Sequence, residues 1–375
     1  MKRSIKVLTL FNIPVEINFS WFIIFGLVVF TLASGYYPLT DPGLPYSIYL
    51  LMAFVSSLLL FASLLAHEFA HSLVAMHNDL PIHGITLFIF GGIAHLEKEP
   101  DTPWVEFKMA VAGPIMSFFL GLSFFFITQA LLAAGAPGYA VSISNYLFIV
   151  NIAVGLFNLV PGFPLDGGRV LRSILWKLLG NLRRATKVAS GFGRAIAFIL
   201  MSYGLFLLFS GMFINGIWFV FIGYFLQESA EASYRQVLMR RFLTGVKAKN
   251  LMSRDLVTVS PDLPVDRLVN DYFLKQRYIS FPVIEDDNLL GIATVHLIKE
   301  IDQDDWPRHT VREVMVPVSD ALIIDEEAEI TECLSKMANN EFGRLLVVEK
   351  GKLVGILSQR DIMRLLDFRS KIERY

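Results

Sequence analysis

The stretch Leu64-Leu65-Ala66-His67-Glu68-Phe69-Ala70-His71-Ser72-Leu73 closes a long apolar run that begins near Ser47. If the run is helical, His67 and His71 stand four residues apart and share one helix face. That is the H-E-x-x-H pattern, in which two imidazoles hold Zn²⁺ and the glutamate between them moves a proton of water. Residues 51–65 carry no charged side chain, so the metal site is predicted inside a membrane-spanning helix. Ionisable groups are costly there, and their presence points to function.

The rest of the composition agrees. Hydrophobic residues make up 54% of the 375, Phe alone occurs 32 times, and the mean hydropathy is +0.53. This describes a multi-span membrane protein that carries a soluble part. The net charge of −1 hides an asymmetry: between residues 16 and 168 the only Lys or Arg are Lys98 and Lys108, whereas charge is dense from Arg235 onward. Cys333 is the only cysteine, which excludes an intrachain disulfide and a cysteine-based zinc knuckle. The opening residues lack a short apolar core followed by a small-residue cleavage site, so no removable signal peptide is expected. No nucleic-acid partner is expected.

Crossing the hydrocarbon of a bilayer takes roughly 20 apolar residues. Six stretches qualify, at roughly 19–35, 46–76, 107–134, 143–161, 195–213 and a shorter 217–226. Asn215-Gly216, a turn signal, separates the last two. Lys2, Arg3 and Lys6 precede the first stretch. Seven Lys and Arg between Arg169 and Arg194 follow the fourth, and Arg235, Arg240 and Arg241 follow the sixth. The connections 36–45, 135–142 and 214–216 have no Lys or Arg. With basic loops cytosolic, six spans in the cell membrane place both termini in the cytosol and the His-Glu motif at the cytosolic end of the second span.

Between the second and third spans, two short β-prone runs flank Gly91-Gly92 and read as a hairpin. It is apolar enough to dip into the membrane, where non-helical backbone needs protein or a water-filled cavity around it. Its edge could receive an extended peptide by strand addition, or the hairpin could simply be a plug. The third span opens with Ala110-Val111-Ala112-Gly113-Pro114, small residues assigned to helix packing.

The fourth span carries Asn145, Asn151 and Asn158 and runs into Pro161-Gly162-Phe163-Pro164-Leu165-Asp166-Gly167-Gly168-Arg169. A catalytic zinc site needs one more His or carboxylate and an open fourth position. Asp166, in a Gly/Pro-rich break at the depth of the histidine pair, is the candidate third ligand. Asn151 suits a bond to a neighbouring helix. Asn158, eight residues before Asp166, is close enough to the break to orient a scissile carbonyl or stabilise its oxyanion. His77, His83 and His95 lack mutual ligand spacing and read as interfacial polar residues, and no metal is attached to His296 or His309.

The soluble half contains an internal repeat. Leu251-Met252 recurs as Val314-Met315, 63 residues on, and the run around Gly291 recurs around Gly355, 64 residues on. Each unit reads as strand, helix, strand, turn, strand and closing helix, which implies α/β units paired about a pseudo-twofold axis with a cleft between them.

Two resemblances follow from these motifs. Residues 1–228 resemble the site-2 protease family of intramembrane zinc metalloproteases, through His67-Glu68-x-x-His71, the distant Leu165-Asp166-Gly167, the Gly91-Gly92 hairpin and Ala112-Gly113-Pro114. The resemblance implies His67, His71 and Asp166 as ligands of one Zn²⁺ per chain, Glu68 as general base and Asn158 as a substrate-orienting residue. It implies single-span membrane proteins as substrates, cut in or near the lipid bilayer. After a linker at 229–245, residues 246–302 and 309–368 resemble a tandem pair of cystathionine-β-synthase (CBS) modules, implying a cytosolic α/β domain that binds an adenine nucleotide (AMP, ADP or ATP) and offers a dimer contact. Their binding pattern is complete in the second repeat, Gly355-Ile356-Leu357-Ser358-Gln359-Arg360-Asp361. The first repeat has Thr294 but Leu297 where the aspartate belongs, so an asymmetric site built on the second repeat is expected. The fold class is therefore a polytopic α-helical membrane domain of about six spans followed by the CBS pair. A CBS-regulated transporter or channel using the His pair for ions is the alternative, but the membrane part shows no internal repeat of the kind many transporters carry. A silent binding protein would have no need of Glu68.

Overall fold

An apolar backbone segment away from water must satisfy its own hydrogen bonds, and a helix does so within one segment. The computed structural model describes residues 4–89, 91–96, 100–276, 278–298, 301–340 and 342–372. It divides into two units, Met1–Arg235 and Gln236–Tyr375.

In the first unit, β1 (Ser4–Leu10) and β2 (Ile13–Asn18) precede α1 (Phe19–Thr40), which is followed by α2 (Tyr46–His77). A hairpin of β3 (Ile82–Phe88) and β4 (Gly91–Leu96) leads to α3 (Pro103–Ala133) and α4 (Gly138–Asn158). A shorter amphipathic helix, α5 (Asp166–Leu179), is followed by α6 (Leu182–Phe209) and α7 (Phe213–Leu243), whose residues 236–243 belong to the second unit. The starts of α1 and α6 carry capping side chains: Asn18 accepts from the Ser20 N–H at 3.0 Å, and Asn181 from the Arg184 N–H at 3.1 Å.

Among the described residues, α1, α2, α3, α4 and α6 are long and apolar enough to cross a membrane. The sequence leads one to expect six spans. The sixth run, 217–226, is the start of α7, whose apolar part gives way to Gln227, Glu228, Glu231 and Arg235. Asn215-Gly216 is not the turn: the break falls at 210–212, with Gly211 at φ +83°, and the Asn-Gly pair lies inside α7. Helical neighbours on both sides override the local turn preference.

The expected hairpin is present, and it belongs to a larger sheet that the sequence does not announce. The strand order is β1-β2-β3-β4. β1 and β2 join through Phe11 and Asn12, both left-handed (φ 51° and 63°), the geometry of a two-residue hairpin turn. β2 runs parallel to β3 with Val15 opposite Ile85, and β3 pairs antiparallel with β4, Leu87 opposite Gly92. Gly91-Gly92 therefore opens β4 and is not itself the turn. Ile13, Val15 and Ile85 pack on Phe69 of α2, which seats the sheet on the turn of helix that carries the His-Glu motif.

The second unit consists of two repeats that exchange their opening segments. One sheet has the order β5 (Ser280–Glu285), β6 (Asn288–Thr294), β7 (Val316–Pro317). The other has the order β10 (Lys352–Ser358), β9 (Arg344–Glu349), β8 (Ile323–Asp325). Val316, which opens the second repeat, pairs with Ile292 of the first; Ser253, which opens the first, bridges to Ile356 of the second. Ile292, Leu322 and Leu346 form the buried seam between them.

Cys333 is completely buried in the core of the second repeat. Burial, together with Glu332, pushes its thiol up to about 11. At pH 8 a thiol reagent should therefore label the native protein at least roughly 100-fold more slowly than the denatured chain. Comparable rates, followed by mass spectrometry, would show that this core opens freely.

Candidate metal centre

His67 and His71 lie in the last third of α2 (Tyr46–His77), four residues apart, and both are buried. Their Nε2 atoms are 3.2 Å apart, and each is 3.1 Å from Asp166 Oδ2. Tetrahedral zinc with bonds of about 2.0–2.1 Å sets its ligand atoms roughly 3.3 Å apart. The three atoms thus already stand at the separation that one such ion requires, and they form a three-ligand cluster capable of holding a metal.

The opposite ring nitrogens explain why the Nε2 lone pairs face inward. His71 Nδ1 is 2.6 Å from the Met109 carbonyl oxygen, which can only accept, so Nδ1 carries the proton. His67 Nδ1 is 2.8 Å from the Ser117 hydroxyl. The Met109 carbonyl therefore fixes His71 in the tautomer that offers Nε2 to a cation, the usual arrangement of a metal-bound histidine, and the Ser117 hydroxyl is able to accept the Nδ1 proton of His67 in the same arrangement. Burial pushes the Asp166 carboxyl up, but where protons on the imidazoles stand in for the cation, the charge of His71 and the hydrogen bonds from both rings outweigh it and hold the carboxyl well below the usual carboxylate range; a bound cation acts in the same direction.

Two glycines make the geometry possible. A Cβ on Gly113 would overlap Nε2 of both histidines, so this one of the small residues expected to pack helices lies directly against the imidazole pair. A Cβ on Gly92 would lie 2.5 Å from Glu68 Cγ. The β4 backbone therefore comes directly against the glutamate of the motif.

Asp166 is the first residue of α5, immediately after the break, with Leu165 preceding it in extended conformation. Asn158 is the last residue of α4, half-buried, eight positions earlier; it is not one of the three clustered ligands. Gly91 opens β4 at φ +126°. His95 sits 3.0 Å from the Thr86 hydroxyl, between two strands and apart from the cluster.

In the second unit Asp361 Oδ2 accepts from the Ser358 N–H at 3.0 Å and from its hydroxyl at 2.5 Å. Thr294 is buried, and its hydroxyl has no hydrogen-bond partner among the described residues. Arg344 pairs with Ser358 across the strands; burial lowers its guanidinium pKa against the pull of Asp361.

Comparison with known proteins agrees with both halves. The family model for peptidase family M50 matches residues 55–140 and 127–200, and the CBS domain model matches 248–301 and 311–367. A Synechocystis protein named as a zinc metalloprotease is 35% identical over 98% of this chain and 96% of its own length. A zinc metalloprotease of Methanocaldococcus jannaschii is 32% identical over 97% of this chain and 96% of its own. A solved structure titled as the site-2 protease from Methanocaldococcus jannaschii covers 62% of this chain and 95% of its own, at 28% identity and a TM-score of 0.43.

Alanine at Gly113 would improve helix propensity by about 1 kcal/mol, yet its methyl group would enter the ligand cluster. Gly113→Ala is expected to fold and to bind zinc roughly 10-fold or more weakly, measured by competition with a chelator. Unchanged affinity would show that the rings have room to move.

Proposed function

The chain belongs to peptidase family M50, the site-2 protease family, with a tandem CBS pair, and from that premise we propose that this multi-pass membrane metalloprotease hydrolyses peptide bonds in or near the transmembrane segment of membrane-anchored substrates. The observation that carries the proposal is the convergence of His67 Nε2, His71 Nε2 and Asp166 Oδ2 within 3.2 Å, beside Glu68 and against the edge of a sheet.

In this reading His67, His71 and Asp166 hold one zinc. When bound, zinc supplies a Lewis acid that polarises the scissile carbonyl and lowers the pKa of water toward about 7. Glu68 accepts a proton from the attacking water and delivers it to the leaving nitrogen. Asn158, at the end of α4, orients the carbonyl that is attacked. A helical substrate hides its peptide groups in i to i−4 hydrogen bonds, so it must unwind first. β4, the edge strand of its sheet, offers the unwound segment a free backbone ladder, and Gly91 and Gly92 bring that ladder to Glu68. Single-span membrane proteins within the bilayer are the substrate class.

Basic residues cluster at the start of the chain, in 169–194 and after 235, while 36–45 and 135–142 have none. That supports cytosolic termini and a cytosolic CBS pair, with the apolar start of α7 counted as a sixth crossing. An adenine nucleotide bound chiefly by Ser358 and Asp361, with Thr294 as the lesser counterpart, modulates the protease, and two chains associate through the CBS pair.

Glu68→Gln should lower cleavage of a single-span substrate by at least roughly 100-fold while zinc content stays at the wild-type level; substantial remaining turnover would reject Glu68 as the base. Asp166→Ala should lose zinc, measured by atomic absorption, and full occupancy would remove it from the ligand set. Calorimetric titration with ATP should show Asp361→Ala weakening binding more than Leu297→Ala does; equal effects would defeat the asymmetric site.

A further inference from the structure

We propose that Glu106 is a positioning residue for the metal centre: through a buried ion pair with Arg172 it fixes the rotation of α5 that brings Asp166 to His67 and His71. The inference rests on the reading of those three side chains as metal ligands.

Glu106, Met109, Gly113 and Ser117 recur along α3 at spacings of three and four, which puts them on one helix face. The last three already serve the site. The Met109 carbonyl holds His71, Ser117 holds His67, and Gly113 leaves room for both rings. Glu106 completes the series one turn before Met109, and its side chain is fully buried.

The partner of Glu106 lies on the helix of the third ligand. Glu106 Oε1 accepts from Arg172 Nε at 2.6 Å and is also paired with Nη2 of the same guanidinium; Arg169 Nε stands 4.0 Å away. Glu106 Oε2 has no hydrogen-bond partner among the described residues, so Arg172 is the principal compensation for a buried carboxylate. The Arg172 guanidinium also lies over the Phe163 ring, 5.1 Å from its centroid. Phe163 belongs to the connection that delivers the chain to Asp166. Arg172 therefore ties α5 both to α3 and to the segment just upstream of the ligand.

The first turn of α5 is Asp166-Gly167-Gly168, and a Cβ on either glycine would overlap the backbone of 159–163, so the helix start is seated on the connection that precedes it. The Arg172–Glu106 pair adds the link from that helix to α3. A slip of one residue turns a helix by about 100°, enough to carry Asp166 off the cluster. Apolar packing tolerates such slips far better than a buried charge does, because a displaced carboxylate would lose its partner without regaining water. The ion pair thus sets the register of α5, and α3 becomes the common template from which all three ligands are oriented.

The test measures zinc affinity by chelator competition, and thermal unfolding, on the full-length protein in detergent. The Glu106→Met/Arg172→Met double variant replaces the pair with apolar side chains of similar length. It is expected to melt within a few degrees of wild type but to bind zinc about 10–100-fold more weakly. Arg172→Lys keeps the charge but not the planar fork and should fall between the two. A folded double variant with wild-type affinity would overturn the proposal. If the double variant does not fold, Glu106→Gln is read in its place, with weakened zinc binding expected and unchanged binding overturning the inference. Asp166→Ala runs in parallel. Zinc lost in Asp166→Ala but kept in the Glu106 variants rejects the positioning role alone. Wild-type affinity in Asp166→Ala rejects the ligand assignment and this inference with it.

Discussion

Imidazoles and carboxylates inside an apolar helix bundle persist only where each has a partner, because removing one member of a buried pair costs about 3–5 kcal/mol. In the membrane unit that constraint is met by one face of α3. Met109, Gly113 and Ser117 surround the two histidines of α2, and Glu106 meets the arginine of α5. The membrane unit thus has an apolar exterior compatible with lipid and an interior in which His67, His71, Asp166 and Glu106 each meet a specific partner. Ionisable groups placed in this way are more consistent with chemistry than with stability, since well-packed apolar residues would hold the same helices together at lower cost.

The sheet places non-helical backbone beside the polar line. Ile13, Val15 and Ile85 press on Phe69, so β2 and β3 rest on the helical turn that carries Glu68. β4 lies beyond them with Gly92 against that glutamate. A free strand edge is ordinarily a hazard because it pairs with any extended segment. Under the proposed function the same property is useful, because a substrate must be extended to be cut.

The second unit follows a different logic. Its two repeats exchange their opening segments, Val316 pairing with Ile292 and Ser253 with Ile356, so neither repeat completes its sheet alone. Against this symmetric frame the ligand-type positions are unequal. Asp361 is held by Ser358, whereas Thr294 faces Leu297 in the sequence and leaves its hydroxyl without a described partner.

Much of this was legible in the chain because it is local. The four-residue spacing of His67 and His71, the long uncharged runs and the repeat offset are set by helix period, hydrocarbon thickness and duplication, none of which depends on distant partners. Asp166 was within reach because a Gly/Pro-rich break at matching depth leaves few other carboxylates. What the sequence did not disclose involves residues far apart along it. The N-terminal strands join β3 by a parallel pairing of Val15 with Ile85, although Phe11-Asn12 is a weak turn signal. Asn215-Gly216 is a stronger one, and it is overruled by the helix around it. Ser117 is 50 residues from His67, and Glu106 is 66 from Arg172. A lone serine or glutamate says nothing about which of many possible groups it will meet. Periodicity and hydropathy determined that a helix with metal-ligand spacing would sit in a membrane bundle. Only the packing of α3 between α2 and α5 decided which side chains meet the two histidines and Arg172, because a partner is chosen by position in space and not by spacing along the chain.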